Sequence, residues 1–162
     1  MRQIQFDLQK ETSAAIQIVI DGLLDDSGAR GVFIVDRVGQ LIGQAGRMGE
    51  LDTTSLATLA AGAIAATGGL AQILGEEEFP THFHQGERGS LHMTLVDDRG
   101  ILIVIFDDKN ALGLVRLRAR RAGAELATVF EHSQKKQEAK GPDNRTAFAD
   151  FTDEEIDNLF SD

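Results

Sequence analysis

The residues best placed for chemistry are three histidines close together in the chain, His82, His84 and His92. His82 and His84 alternate along FPTHFHQG, so an extended strand puts both on one face. His92, in SLHMTLV, falls where a hairpin would set it across from them. Imidazoles grouped in this way suit zinc and similar divalent ions. A stable site also needs a carboxylate or thiolate partner. None stands at ligand spacing, and the chain has no cysteine. Polar residues on an exposed sheet face, or at a subunit contact, are the plainer reading, and no metal ligand is assigned.

Other catalytic patterns fail on spacing. Ser13, Ser55 and Ser90 have no strained elbow around them, and no Ser, His and acid arrangement can be traced. Asp97-Asp98 and Asp107-Asp108 stand at strand ends, as turn residues do. Gly39, Gly43 and Gly46 hint at a phosphate-binding loop, but no GK[ST] follows and no helix begins there. The expectation is a protein with no catalytic residue of its own and no cofactor.

Arg116, Arg118, Arg120 and Arg121 form the strongest basic patch, a possible contact face on a helix whose alternative is simple solvation. The net charge of −10 and the lack of aromatic residues among these arginines argue against nucleic acid. An acidic protein surface, an anionic headgroup or the chain's own end suits them better. That end, FADFTDEEIDNLFSD, carries six acids and no base, so it holds −6 of the −10. Thr152 and Glu155 match a capping box, and Phe151 and Ile156 match a hydrophobic staple. Ile156, Leu159 and Phe160 then share one helical face. Phe151, Ile156, Leu159 and Phe160 read as a docking segment that orders on binding.

These residues need a scaffold, and 42% hydrophobic content is enough to build one. Apolar residues recur at helical spacing from Leu8 to Leu24, with Gly28 as a stop. GVFIVD and QLIGQAGR read as a hairpin. LDTTSLATLAAGAIAATGGLAQILGE reads as a helix capped by Asp52 or Thr53 and ended by Gly75. Small residues Ala57, Ala61, Ala65 and Gly69 recur every fourth position along it, while Leu56, Leu59, Ile64 and Leu70 lie off that stripe and suit packing on a sheet. Gly62, Gly68 and Gly69 each cost about 1 kcal/mol against Ala in a helix, which implies that another backbone approaches closely. EFPTHFHQG suits an edge strand, SLHMTLV alternates, and ILIVIFD is a central strand covered on both faces. Ala111 to His132 reads as the last long helix.

The expected fold is α+β, an α/β sandwich with order α-β-β-α-β-β-β-α and a five-stranded, mainly antiparallel sheet. The expected units are a domain over 5–132, a flexible linker over 133–147 and an acidic amphipathic segment over 148–162. No apolar run is expected to reach membrane-spanning length, and no leader is visible, which suggests a cytoplasmic protein.

The segments VFIVDRVGQLI, DTTSLATLAAGAIAATGGLAQILGE, FHQGERGSLHMTLV and VIFDDKNALGLVRLRARRA resemble the Roadblock family over residues 5–132. Within it they are most similar to the bacterial polarity proteins of the MglB type, and the ending DNLFSD resembles the end of some members. The resemblance implies a homodimer whose sheets join across the two-fold and whose middle helices lie side by side. It implies a partner too, one GTP-bound Ras-like GTPase of the MglA type per dimer, and a role in cell polarity and gliding motility with concentration at a cell pole. Such proteins activate the GTPase by realigning its own catalytic groups. By position, the resemblance puts GTPase contacts at Ala61, Ala65 and Gly69, with Ala57 extending the same stripe. One departure is Ala63-Ile64, where relatives commonly carry an Asn. A scaffold dimer anchoring some other partner is the alternative, and a metal enzyme built on the histidines a distant third.

Overall fold

Periodicity along the chain turns into layers in space. The computed structural model describes residues 2–107 and 111–140. Helix α1 spans Arg2–Ser27, strand β1 Gly31–Asp36, β2 Leu41–Gly46, helix α2 Thr53–Ile73, β3 Thr81–Gln85, β4 Ser90–Val96, β5 Gly100–Phe106 and helix α3 Leu112–Lys140. The five strands form one sheet in the order β2-β1-β5-β4-β3. Every neighbouring pair is antiparallel. Gly28 and Gly75, expected to stop α1 and α2, have φ of +66° and +80°.

The alternation of side chains along each strand sorts the core into two halves. Val32, Ile34, Leu102, Val104 and Phe106 point to one side and meet Ile16, Ile20 and Leu23 of α1 and Val115, Ala119, Ala122 and Leu126 of α3. Phe33, Val35, Met93, Ile101 and Ile103 point to the other and meet Ala57, Ala60, Ala61 and Ile64 of α2. The sheet therefore lies between an α1–α3 pair and a single α2. Strand β5 sits at the centre, and all but one of its residues are buried. That is the pattern its unbroken apolar run implied.

The β1–β2 hairpin also positions α2. Asp36 Oδ1 accepts from the backbone N–H groups of Val38 and Gln40, at 3.0 and 2.8 Å, and so shapes the turn. Gly39 lies at φ +92°, and a Cβ there would stand 2.9 Å from Thr58 Cα. Only glycine lets this tip pass so close beneath the helix. An Arg37–Glu78 ion pair joins the same tip to the segment between α2 and β3.

Two helices run past their expected limits. Helix α1 begins at Arg2 rather than near Leu8, because no Gly or Pro interrupts RQIQFD ahead of it. Helix α3 continues to Lys140, so residues 133–140, expected to begin the linker, are helical. QKKQEAK consists of strong helix formers, and side-chain pairs one turn apart support it, Glu131 with Lys135 at 3.5 Å and Gln134 with Glu138 at 3.1 Å. The Thr12–Ser133 hydrogen bond (3.2 Å) and the Glu11–Lys136 pair (3.3 Å) tie this extension to α1. The acidic segment 148–162, with Phe151, Ile156, Leu159 and Phe160, lies outside the described residues.

Candidate functional site

Helix α2 is the element whose composition its own fold uses least. Asp52 caps it, accepting from the Ser55 hydroxyl at 2.6 Å and the Ser55 N–H at 3.1 Å. Those two bonds, the hydroxyl first, hold the Asp52 carboxyl below its ordinary range. From there one face packs on the sheet through Ala57, Ala60, Ala61, Ile64 and Ala71. Small side chains let the helix lie close to Phe33, Met93 and Ile103.

The opposite face is apolar and open. Leu59 is 71% exposed, Leu70 57%, Ile73 82% and Leu74 70%. Gly62, Ala66 and Gly69 lie between them, all exposed. A Cβ built on Gly62, Gly68 or Gly69 would meet nothing within 4 Å. The close backbone approach expected at these glycines is therefore not made inside the described chain. Leu59 and Leu70, expected to pack on the sheet, point away from it, while Leu56 and Ile64 do pack there. Sequence reasoning missed this face, although its signal is present. Leu59, Gly62, Ala66, Leu70 and Ile73 step by three or four, which is the spacing of a helix seam.

The stripe of every fourth residue divides. Ala57 and Ala61 are 2% and 7% exposed and covered by the sheet, whereas Ala65 and Gly69 are exposed. With about 3.6 residues per turn, a step of four advances about 40° around the axis, so the stripe winds from the inner face to the outer one. As side-chain contacts for a partner, Ala57 and Ala61 are therefore corrected to core positions.

Helix α2 is also long and apolar enough to cross a membrane by length and composition alone, contrary to the expectation that no run reaches that length. Ala, Gly and Thr keep it free of charge without making it strongly hydrophobic. Its inner face, packed on the sheet, accounts for it as a domain helix.

The histidines separate. His82 pairs with Met93 and His84 with Leu91, on the α2 side of the sheet, while His92 pairs with Phe83 and turns toward α3. A one-residue alternation in β4 is enough to send His92 through to the other face. Among the described residues no three potential ligands gather at a metal site. His92 is 1% exposed, its Nδ1 lies 3.3 Å from the Thr94 hydroxyl, and its Nε2 has no partner among the described residues. Burial, and then the nearby Arg116 charge, lower its pKa from 6.5. As pH falls, the unfolded chain takes up a proton at this site before the folded one. The contribution to stability is whole above about pH 6.5 and is lost below it. Thermal melting from about pH 7.5 to about pH 5.5 should show a falling Tm, and a smaller fall in His92→Leu.

Of the four arginines on α3, Arg116, Arg120 and Arg121 are exposed and Arg118 is half-buried toward α1. Arg116 and Arg120 occupy one side of the helix, Arg118 and Arg121 the other. They form two borders rather than one patch.

A family model described as the Roadblock/LC7 domain matches residues 15–106, from within α1 to the end of β5. Myxococcus xanthus MglB is 51% identical at a TM-score of 0.73, over 75% of this chain and 91% of that one. The gliding protein MglB from Thermus thermophilus is 33% identical at a TM-score of 0.70, over 76% and 92%. An MglB solved in a tetrameric arrangement is 34% identical at a TM-score of 0.69, over 71% and 87%. No curated protein sequence matches the chain. Matched by the family model across its whole sheet, and in sequence and fold by these structures, the chain belongs to the Roadblock/LC7 family and is MglB-like.

Proposed function

We propose that this protein is a GTPase-activating regulator of a Ras-like small GTPase of the MglA class, working as a homodimer in bacterial polarity and gliding motility. The observation that carries the reading is the outer face of α2. It is apolar, bears Gly62 and Gly69, which nothing in the described chain approaches, and has no charged residue from Thr53 to Ile73. Such a face is covered by protein in the working assembly. Paired α2 helices of two copies, with the sheets joined along the free β3 edge, would cover part of it. Ala65, Gly69 and their neighbours would then meet one GTP-bound GTPase. Identity of 51% to one MglB and 33% to a gliding MglB supports the same partner class.

Activation on this reading needs no catalytic group from the activator. Phosphoryl transfer depends on positioning a water and stabilising charge, and a GTPase's own Arg and Gln can do both once aligned. The protein works in the cytoplasm, concentrated at a cell pole. Single-turnover GTP hydrolysis by an MglA-class GTPase tests the proposal. Full-length protein should raise the rate by on the order of 10-fold or more and should bind the triphosphate form in preference to the diphosphate. An unchanged rate with equal binding of both forms would replace the activator by a scaffold that anchors some other partner.

A further inference from the structure

The side of the molecule away from α2 carries a groove that the GTPase reading leaves unused. It runs between α1 and α3, encloses about 210 Å³, and is lined chiefly by Ile18, Gly22 and Leu23 on one side and Arg118, Arg121 and Ala122 on the other. Gly22 leaves its wall open, since a Cβ there would meet nothing within 4 Å. Apolar side chains stand exposed in and beside it, Ile18 at 73% and Leu117 at 62%. Arg118 Nε is buried and has no hydrogen-bond partner among the described residues. Among the described residues Arg121 has only Glu125, at 3.8 Å and largely in solvent, as a salt-bridge partner. Asp26 and Glu125 also line it, so two acids stand beside the two arginines.

We infer that this groove is the docking site for the chain's own C-terminal segment, residues 148–162. The chemistry matches on both counts. The segment brings six acids and no base, with Ile156, Leu159 and Phe160 at helical spacing. The groove offers a buried guanidinium nitrogen, Arg118 Nε, without a partner among the described residues, beside uncovered aliphatic side chains. The outer face of α2 is apolar too, but it has no cation to select an acidic segment.

Reach agrees with chemistry. Helix α3 ends at Lys140. Glu125 lies about 23 Å back along its axis, and Leu117 about 35 Å back. Residues 141–150 can span at most about 35 Å. The connection therefore reaches the level of Glu125 with length to spare for crossing the helix surface. A short helix of about 13 Å then ends level with Leu117. Tethering raises the effective concentration of the segment at the groove, so weak contacts suffice. Docked there, the segment is held away from any other surface, and a partner that takes it up must first displace it. The inference concerns this chain alone and stands or falls separately from the GTPase reading.

The cysteine-free sequence allows a direct test in the full-length protein. A nitroxide on Ser161→Cys should broaden the amide signals of Gly22 and Ala122. Leu159→Ala with Phe160→Ala should shift docked toward free by about tenfold or more and restore those signals. Arg121→Glu and Leu117→Asp, both at exposed positions, should restore them as well. Nitroxide-bearing chains mixed with isotope-labelled, nitroxide-free chains separate the sources. Broadening of the groove signals in these nitroxide-free chains would assign the groove to a second copy's segment and overturn docking within one chain. Broadening confined to α2, or absent altogether, would overturn the site itself.

Discussion

Ala65→Arg is expected to abolish stimulation of GTP hydrolysis while leaving the domain folded. Ala65 is exposed on α2, beyond the point where the small-residue stripe leaves the sheet. Arg is a strong helix former, and in the isolated domain its long side chain can lie in solvent, so the fold loses almost nothing. A closed protein contact changes that balance. The guanidinium must either be buried without a partner or prop the surfaces apart. An uncompensated buried charge costs about 3–5 kcal/mol, so binding should weaken by about 100-fold or more. Single-turnover hydrolysis reads the effect, and thermal melting checks the fold. Normal stimulation by this variant would sink the proposed activity. Sedimentation separates the two contacts that α2 can make. A variant that stays dimeric but inactive puts Ala65 against the GTPase, whereas one that becomes monomeric puts it between the copies.

Phe33→Ala should have the largest effect on stability. Phe33 is 1% exposed at the centre of the sheet's α2 side. Across from it stand Ala57, Ala60 and Ala61, which cannot expand to fill a void. Removing a buried aromatic ring costs about 3–5 kcal/mol, a large share of the roughly 5–15 kcal/mol that typically holds a domain together. Chemical denaturation should show a lower midpoint with an unchanged slope. The consequence for function follows from where the void opens. Helix α2 is held by small residues against a few large ones from the sheet, so loss of Phe33 loosens the helix that presents the outer face. Stimulation of the GTPase should fall at temperatures where α1 and α3 remain packed. A variant as stable as the parent would mean that α2 collapses onto the sheet and fills the space.

The order of the elements could be read from local patterns because each signal is set by nearby residues. The alternation in SLHMTLV, the unbroken ILIVIFD and the Asp52 cap all act within a few positions of themselves. The C-terminal extent of α3 was harder. QKKQEAK has no apolar stripe and so reads as linker, yet Lys136 meets Glu11 across the helix pair. That pairing brings together residues far apart in the chain, and no local pattern announces it.

The site divides along the same line. Composition alone marked α2 as unusual, because three helical glycines cost stability that something must offset. Which way each residue faces depended on the rotation at which α2 docks, and Phe33, Met93 and the Gly39 turn set that rotation. Docking buried Ala57 and Ala61, exposed Ala65 and Gly69, and turned Leu59 and Leu70 outward. The three histidines were sorted by β-pairing, which placed His92 through the sheet from His82 and His84. Sequence by itself determined the elements, their order and the acidic character of the chain end, since those follow from residue types and short-range spacing. Only the tertiary structure decided which face of α2 is open and that α1 and α3 leave a groove between them. Both depend on how surfaces distant in sequence meet.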